Sequence, residues 1–161
     1  MFILLKTYVY EYNMRNKRPN ITPTNPQYIR TTNGVIKPNV IVKKSNIPNA
    51  GLGLFANRSF IPNDHICWYR GELIDQAELD RRYGDNVAMY TIKVGKDAYI
   101  DAANTPHNIG RYANMANKRK DNNAKYVVSA KTKTARLVAI KNIKEGSEIL
   151  VDYGSERNYF I

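Results

Sequence analysis

From Val35 onward the chain divides into short runs of β-branched and aromatic residues, each closed by a cluster of Gly, Pro, Asn or Asp. The runs are Val40 to Val42, Gly53 to Phe55, His65 to Tyr69, Tyr90 to Val94, Ala98 to Ile100, Tyr126 to Ala130, Arg136 to Ile140 and Glu148 to Tyr153. Side chains of the first kind pack well on a pleated, half-buried surface and residues of the second kind turn the chain, so each run predicts a strand. One helix is expected, Asp75 to Tyr83: Asp75 can cap its N-terminus, and Glu78 stands three residues on, the spacing of a capping box. The pattern predicts a mostly β (α+β) fold of several small sheets with a few short helices.

The remaining composition excludes more than it assigns. A length of 161 residues suits one domain, and 43% hydrophobic with 24% charged residues is ordinary for a chain that buries a core. The single cysteine, Cys67, excludes an internal disulfide framework and a zinc site built on several thiolates. Phe2 to Leu5 is too short to span a membrane and lacks the basic flank of a signal peptide, so a soluble, intracellular protein is expected. Phe2 to Tyr12 reads as a strand or short helix, and Asn13 to Pro26, with three prolines, as an extended linker. The 19 Asn, 16 Ile, 14 Lys and 12 Tyr share AT-rich codons, which points to an AT-rich genome such as that of a large virus or a parasite.

The net charge of +11 is unevenly spread. Residues 1–40 hold six basic groups and one acid, and 118–144 hold nine and one, whereas 64–101 hold eight acids and five bases. This is either a solvated surface or a footprint for a polyanion beside an acidic zone suited to a cationic ligand. With no RNA-binding signature and no recognition helix, nucleic acid is expected as a neighbour and not as the substrate.

One internal echo is visible. Ala56 to Ile66 aligns with Ala139 to Ile149 at an offset of 83 residues. Each copy reads as a strand end, a turn with Asn63 or Gly146 at a position suited to positive φ, and a new strand. Two readings stand open: chance similarity between two turn-linked strand pairs, or a pseudo-symmetric β fold.

Four phrases carry chemistry: Ala50-Gly51-Leu52-Gly53-Leu54-Phe55-Ala56 near a strand; Tyr69-Arg70-Gly71-Glu72 before the helix; Ile100-Asp101-Ala102 leading to Gly110-Arg111-Tyr112-Ala113-Asn114; and Gly146 to Gly154, ending in Asp152-Tyr153-Gly154. A lone Gly-x-Gly is most often a tight turn. The helix and acidic residue that would make it a dinucleotide site are missing. In order, spacing and content together, the four phrases resemble the SET domain of protein-lysine methyltransferases, from Asn39 to Gly154. The resemblance divides the chain into an N-terminal extension (1–38), a SET domain (39–154) and a short C-terminal segment (155–161). It implies a β-clip whose C-terminal segment threads a loop.

The same resemblance implies S-adenosylmethionine as cofactor, with S-adenosylhomocysteine as product, received by Ala50, Gly51, Leu52 and Gly53. Glycine is expected there because a side chain would block the methionine moiety. The family's Arg-Phe-x-Asn-His-Ser motif falls on Arg111 to Ala116, so Arg111 and Asn114 are expected at the cofactor. Met115 stands where the family His contributes backbone contacts. Met115-Ala116 in place of His-Ser is similar to the PR-type branch of the family. The reaction implied is attack of a lysine amine on a sulfonium methyl, with no metal. Tyr153 is the expected catalytic tyrosine, Tyr90 and Tyr69 the expected channel walls, and Tyr90 also a cofactor contact. Val151 leaves room for more than one methyl group, and Tyr159 with Phe160 is the available lid, or else a fraying terminus.

His65 and His107, with no nucleophile arranged beside them, read as surface polar residues. Cys67, in an apolar strand, reads as a small buried hydrophobe. The resemblance implies a histone or other lysine-containing protein as partner. Nucleosomal DNA is expected against the basic segments, and the nucleus as location. Two other classes of function remain: a catalytically weak SET-like chromatin or protein-binding module, and a basic polyanion-binding domain.

Overall fold

The computed structural model describes residues 28–30, 36–105 and 107–153. The expected elements in Phe2 to Pro26, together with Gly154, Tyr159 and Phe160, lie outside the described residues. Strands β1 (Tyr28–Arg30) and β2 (Ile36–Pro38) pair antiparallel. A second two-stranded sheet joins β3 (Val40–Lys44) to β4 (Leu52–Ala56). Then follow β5 (His65–Tyr69), β6 (Glu72–Ile74), helix α1 (Gln76–Tyr83), β7 (Thr91–Gly95), β8 (Ala98–Asp101), β9 (Asn114–Met115), β10 (Ala124–Ser129), β11 (Thr134–Ala139) and β12 (Leu150–Val151). A three-stranded sheet has the order β6-β8-β7, and a five-stranded sheet the order β5-β11-β10-β12-β9. Short 3-10 turns, Ile109–Tyr112 and Arg119–Asp121, flank β9.

Each expected strand has a counterpart, and the sheets are small, as the turn clusters demand. The expected strand from Glu148 to Tyr153 is cut to β12 because its residues change partners. Glu148 bridges Phe55, and the Ile149 N–H donates to the Leu54 carbonyl at 2.7 Å, whereas Leu150 and Val151 pair with β9, and Val151 also with β10, all in parallel. Strands β1, β2, β6 and β9 escape a pattern search because two or three residues are too few to show alternation.

The core gathers the inward side chains of these sheets: Leu54, Phe55, Phe60, Ile66, Cys67, Leu137, Ile149 and Val151 are all at most 1% exposed. A smaller cluster of Ile74, Leu79, Ala88 and Tyr99 seats α1. Asp75 caps that helix, its carboxylate accepting from the Glu78 N–H at 2.8 Å. Glu78 does not return the bond, so the box is half made. Its carboxylate instead accepts from Arg81 at 2.6 and 2.7 Å and from Arg82 at 2.7 Å. Arg82 also pairs with Glu72 at 2.8 Å and with the buried Asp101 at 2.9 Å. With Arg58 on Asp64 at 3.2 Å, half of the acidic zone between 64 and 101 is tied to arginines.

The echo is structural. Phe60 and Ile143, the equivalent residues, exchange both backbone hydrogen bonds at 2.9 Å. Around that pair every bond has a mate. The Ala56 N–H donates to Ser147 O at 2.9 Å and the Ala139 N–H to Asp64 O at 3.0 Å; the Gly146 N–H donates to Ala56 O and the Asn63 N–H to Ala139 O, both at 2.8 Å. Asn63 and Gly146 both take positive φ, 74° and 84°. The β3–β4 ladder, with Val40 opposite Ala56, repeats in β10–β11, with Ala124 opposite Ala139. Two hairpin units thus face each other across an approximate twofold axis, which decides between the two readings of the repeat.

Candidate active site

Where the two units meet the three-stranded sheet, a cavity of about 350 Å³ opens. Its lining comes from the β3–β4 loop (Ala50, Gly51, Leu52), the end of β5 (Tyr69), the approach to β7 (Met89, Tyr90), the first 3-10 turn (Arg111, Tyr112), β9 (Asn114), β10 (Tyr126) and the residue after Asp152, Tyr153. Four phrases spread over a hundred residues therefore converge on one hollow.

The loop wall is held from behind. The Ser45 N–H donates to Gly51 O at 2.9 Å and closes the loop. Gly51 has φ 70° with nothing within 4 Å of where a Cβ would stand, so its backbone conformation is what calls for glycine. Gly53 differs. A Cβ there would lie 2.3 Å from the Glu148 carboxylate, so Glu148 by itself calls for glycine at residue 53. Glu148, only 6% exposed, accepts from the Ser45 hydroxyl at 2.6 Å, the Asn46 N–H at 2.8 Å and the Asn114 amide at 3.2 Å. Ser45 carries no motif, and Glu148, although it stands inside the Gly146 to Gly154 phrase, meets it only across 103 residues, which is why sequence reasoning gave neither a role.

Three of the tyrosines give their hydroxyl protons to backbone carbonyls. Tyr69 donates to Tyr90 O at 2.8 Å, Tyr153 to Ala113 O at 2.9 Å, and Tyr126 to Gly110 O at 3.3 Å. Tyr69 and Tyr126 meet edge to face, ring centroids 5.5 Å apart. Burial, with the neighbouring Tyr90, pushes the Tyr153 phenol up to about 12 against a partial offset from the Met115 N–H. Burial likewise raises Tyr69 and Tyr126 well above the ordinary phenol range. All three stay neutral at physiological pH; the Tyr153 oxygen also receives the Met115 N–H. Arg111 closes the opposite side. Its guanidinium donates to Ala102 O at 2.6 Å and Ala103 O at 2.9 Å and stacks 4.1 Å from the Tyr90 ring centre, while its buried Nε has no partner among the described residues.

Of the sequence-derived site residues, Ala50, Gly51, Leu52, Tyr69, Tyr90, Arg111, Asn114 and Tyr153 line the cavity. Gly53 lies behind the wall, and Met115 turns its side chain to solvent. Val151 is fully buried in the core and off the lining. Tyr126, read from sequence only as a strand residue, stands in the cavity. Its signal was an aromatic entering a strand soon after the Arg-Tyr-x-Asn phrase. His65 is a correction: it opens β5 half-buried against Trp68, its Nε2 has no partner among the described residues, and burial, then Arg136 and Arg58, lowers its pKa. His107 is exposed. Cys67 is fully buried and burial raises its thiol to about 12, as befits an inert core residue. Among the described residues no helix is long and apolar enough to cross a membrane, and no cluster of His, Cys, Asp or Glu could hold a metal.

Comparison with known proteins agrees with this geometry. The family model described as SET domain matches residues 51–154. The Caenorhabditis elegans histone-lysine N-methyltransferase mes-4 is 34% identical over 121 residues, covering 64% of this chain and 13% of that protein. A histone-lysine N-methyltransferase, H3 lysine-36 specific, from Debaryomyces hansenii is 31% identical over 115 residues, covering 66% and 15%. The crystal structure of the Chaetomium thermophilum polycomb repressive complex 2 matches with TM-score 0.60 at 31% identity, over 73% of this chain and 15% of that one. An autoinhibited structure of that complex bound to S-adenosylmethionine matches with TM-score 0.58 at 30% identity, over 71% and 15%. The chain thus spans about a seventh of the length of these relatives.

Proposed function

We propose, from the premise that this chain belongs to the SET-domain family, that it is an S-adenosylmethionine-dependent protein-lysine N-methyltransferase acting on a histone tail in the nucleus. The observation that carries the reading is the convergence of Tyr69, Tyr90, Tyr126 and Tyr153 on one cavity beside the Gly51 loop and Asn114. Relatives named as histone-lysine methyltransferases and a similar structure bound to S-adenosylmethionine support it.

The cavity fits the cofactor. Gly51 leaves its rim open, and Arg111 and Asn114 offer polar groups on one side. Ala50, Gly51, Leu52, Arg111 and Asn114 would hold it, with the Met115 backbone beside them. When bound, S-adenosylmethionine supplies an electrophilic methyl group on a sulfonium. The residues of this chain do the rest. A lysine has to arrive as the free amine, and at pH 7 losing its proton costs about 4 to 5 kcal/mol given a free pKa of about 10.4. Aromatic walls disfavour the ammonium and lower that cost. The Tyr69 and Tyr126 hydroxyls have already given their protons to carbonyls, so they present lone pairs that can accept from the amine N–H groups and fix its direction, and the Tyr153 hydroxyl is held beside them between the Ala113 carbonyl and the Met115 N–H. Because burial keeps Tyr153 neutral, it orients the amine and does not act as a base.

The test is methyl transfer from labelled S-adenosylmethionine to core histones and nucleosomes. Wild type should transfer label. Tyr153→Phe should transfer about a hundredfold less, the scale of a misaligned attack, with cofactor affinity little changed. Equal transfer by the variant would sink the mechanism, and cofactor binding without transfer on any histone would favour a non-catalytic binding module.

A further inference from the structure

The Asn114 side chain meets three groups of the wall, and each one presents an acceptor. Its Nδ2 lies 3.0 Å from the Leu52 carbonyl, 3.2 Å from Glu148 Oε1 and 3.2 Å from Ser45 Oγ. A carbonyl and a carboxylate can only accept. Ser45 could donate, but its single proton goes to Glu148 Oε1 at 2.6 Å, so it offers Asn114 a lone pair. The carboxylate is in turn anchored by the Asn46 N–H on its other oxygen, and it has room only because residue 53 carries no side chain. An amide is ambiguous about which end is nitrogen until its neighbours decide. Here they decide it: the nitrogen faces the wall, and Oδ1, which has no partner among the described residues, is the end left for whatever enters the cavity that Asn114 lines.

We infer that Glu148, acting through Ser45 and the Asn114 amide, is a positioning residue that makes the cavity present an acceptor, and so selects a cofactor whose amino-acid part carries an ammonium group. The inference rests on the proposed cofactor. Glu148 itself is off the cavity lining and reaches it through Asn114, which lines it. Replacing the carboxylate by an amide reverses the logic. In Glu148→Gln, the Asn46 N–H claims the remaining oxygen, and the new NH₂ faces Ser45 and Asn114. Only the Leu52 carbonyl, 3.0 Å away, then still holds the Asn114 nitrogen to the wall, so the turned-over amide, which shows its nitrogen to the cavity and opposes an ammonium, gains population.

The experiment measures binding of S-adenosylhomocysteine and of its deamino analogue, in which hydrogen replaces the α-ammonium, to the full chain and to Glu148→Gln. A hydrogen bond to a charged group makes the wild type prefer the ammonium form by about tenfold to a hundredfold. Glu148→Gln should shrink that preference to within about threefold while binding the deamino analogue as the wild type does. Ser45→Ala, which loosens the same triangle without touching the carboxylate, should reduce the preference in the same direction by less. A variant that loses both ligands equally, or keeps the full preference, overturns the positioning role and leaves the proposed cofactor standing. A wild type that binds neither ligand overturns both.

Discussion

Gly53→Ala isolates the contact on which the loop wall depends. A Cβ on residue 53 would stand 2.3 Å from Glu148 Oε1, 3.0 Å from its Cδ and 3.2 Å from the Phe55 ring. The carboxylate is the end of a flexible chain and can swing away, but then the Asn46 N–H and the Ser45 hydroxyl lose their acceptor in a largely closed space. At about 1 to 3 kcal/mol for each orphaned donor, the loss is about 2 to 6 kcal/mol, a large part of the 5 to 15 kcal/mol that stabilises a typical domain. Gly51→Ala is the control: with φ 70° and open space, it should lose only the left-handed penalty, about 1 to 2 kcal/mol. Urea unfolding followed by the fluorescence of the single tryptophan, Trp68, reads both. The decisive arm repeats Gly53→Ala in a Glu148→Ala background, where only the Phe55 ring at 3.2 Å remains close and the substitution should cost under about 1 kcal/mol. If Gly53→Ala costs the same in both backgrounds, the carboxylate is not what excludes a side chain at residue 53.

Four further outcomes can be measured. Because burial keeps Tyr69, Tyr126 and Tyr153 protonated, the titrating group in the rate is the substrate amine. Raising pH deprotonates it, so transfer should climb by up to about tenfold per unit from pH 7 to 9, and a flat profile with chemistry rate-limiting contradicts this. The raised phenols also mean that the folded state holds protons the unfolded chain releases, so stability, complete below pH 10, should fall as pH rises through about 12; a urea midpoint constant across that window contradicts it. Tyr126→Phe removes a hydroxyl from the cavity at the expense of one long hydrogen bond, so mass spectra of the product should shift toward more methyl groups per lysine; an unchanged distribution refutes its role as a filler. If Lys118, Lys120, Lys125 and Arg136, all exposed, meet nucleosomal DNA, activity on nucleosomes should drop steeply between 50 and 200 mM salt while activity on free tails changes little.

How far the sequence could lead is clearest residue by residue. Turn clusters and β-branched runs located β3, β4, β5, β7, β8, β10 and β11, because each is long enough for its composition to show. Asp75 marked the start of α1 through capping chemistry that is wholly local. Tyr69, Tyr90, Arg111, Asn114 and Tyr153 were found through short phrases with recognisable spacing, and they do share a cavity. Glu148 stood inside the last phrase without an assigned role, because that role exists only once Ser45 and Gly53 fold over it. Arg82 was hidden for the same reason: a helix surface arginine by position, it reaches β6 and β8 and ties up acids that the sequence offered to a cationic ligand. Tyr126 lacked a phrase of its own, and only pairing with β11 brings its strand to the cavity.

The twofold arrangement of the two hairpin units also sets the order in which this chain can mature. The turn at Phe60 takes its long-range backbone partners at Ile143, Ser147 and Ala139, about 80 residues later, and the cavity closes only when Tyr153 has passed β9 and β10. Contacts so distant along the chain have to close large loops before they stabilise anything, which slows folding. On the ribosome, the first unit would emerge with its turn unsatisfied and would wait for the second as a partly formed intermediate. Truncation before Ile143 should therefore leave an aggregation-prone fragment in place of a smaller folded domain, and the last dozen described residues act as the latch that completes both halves together.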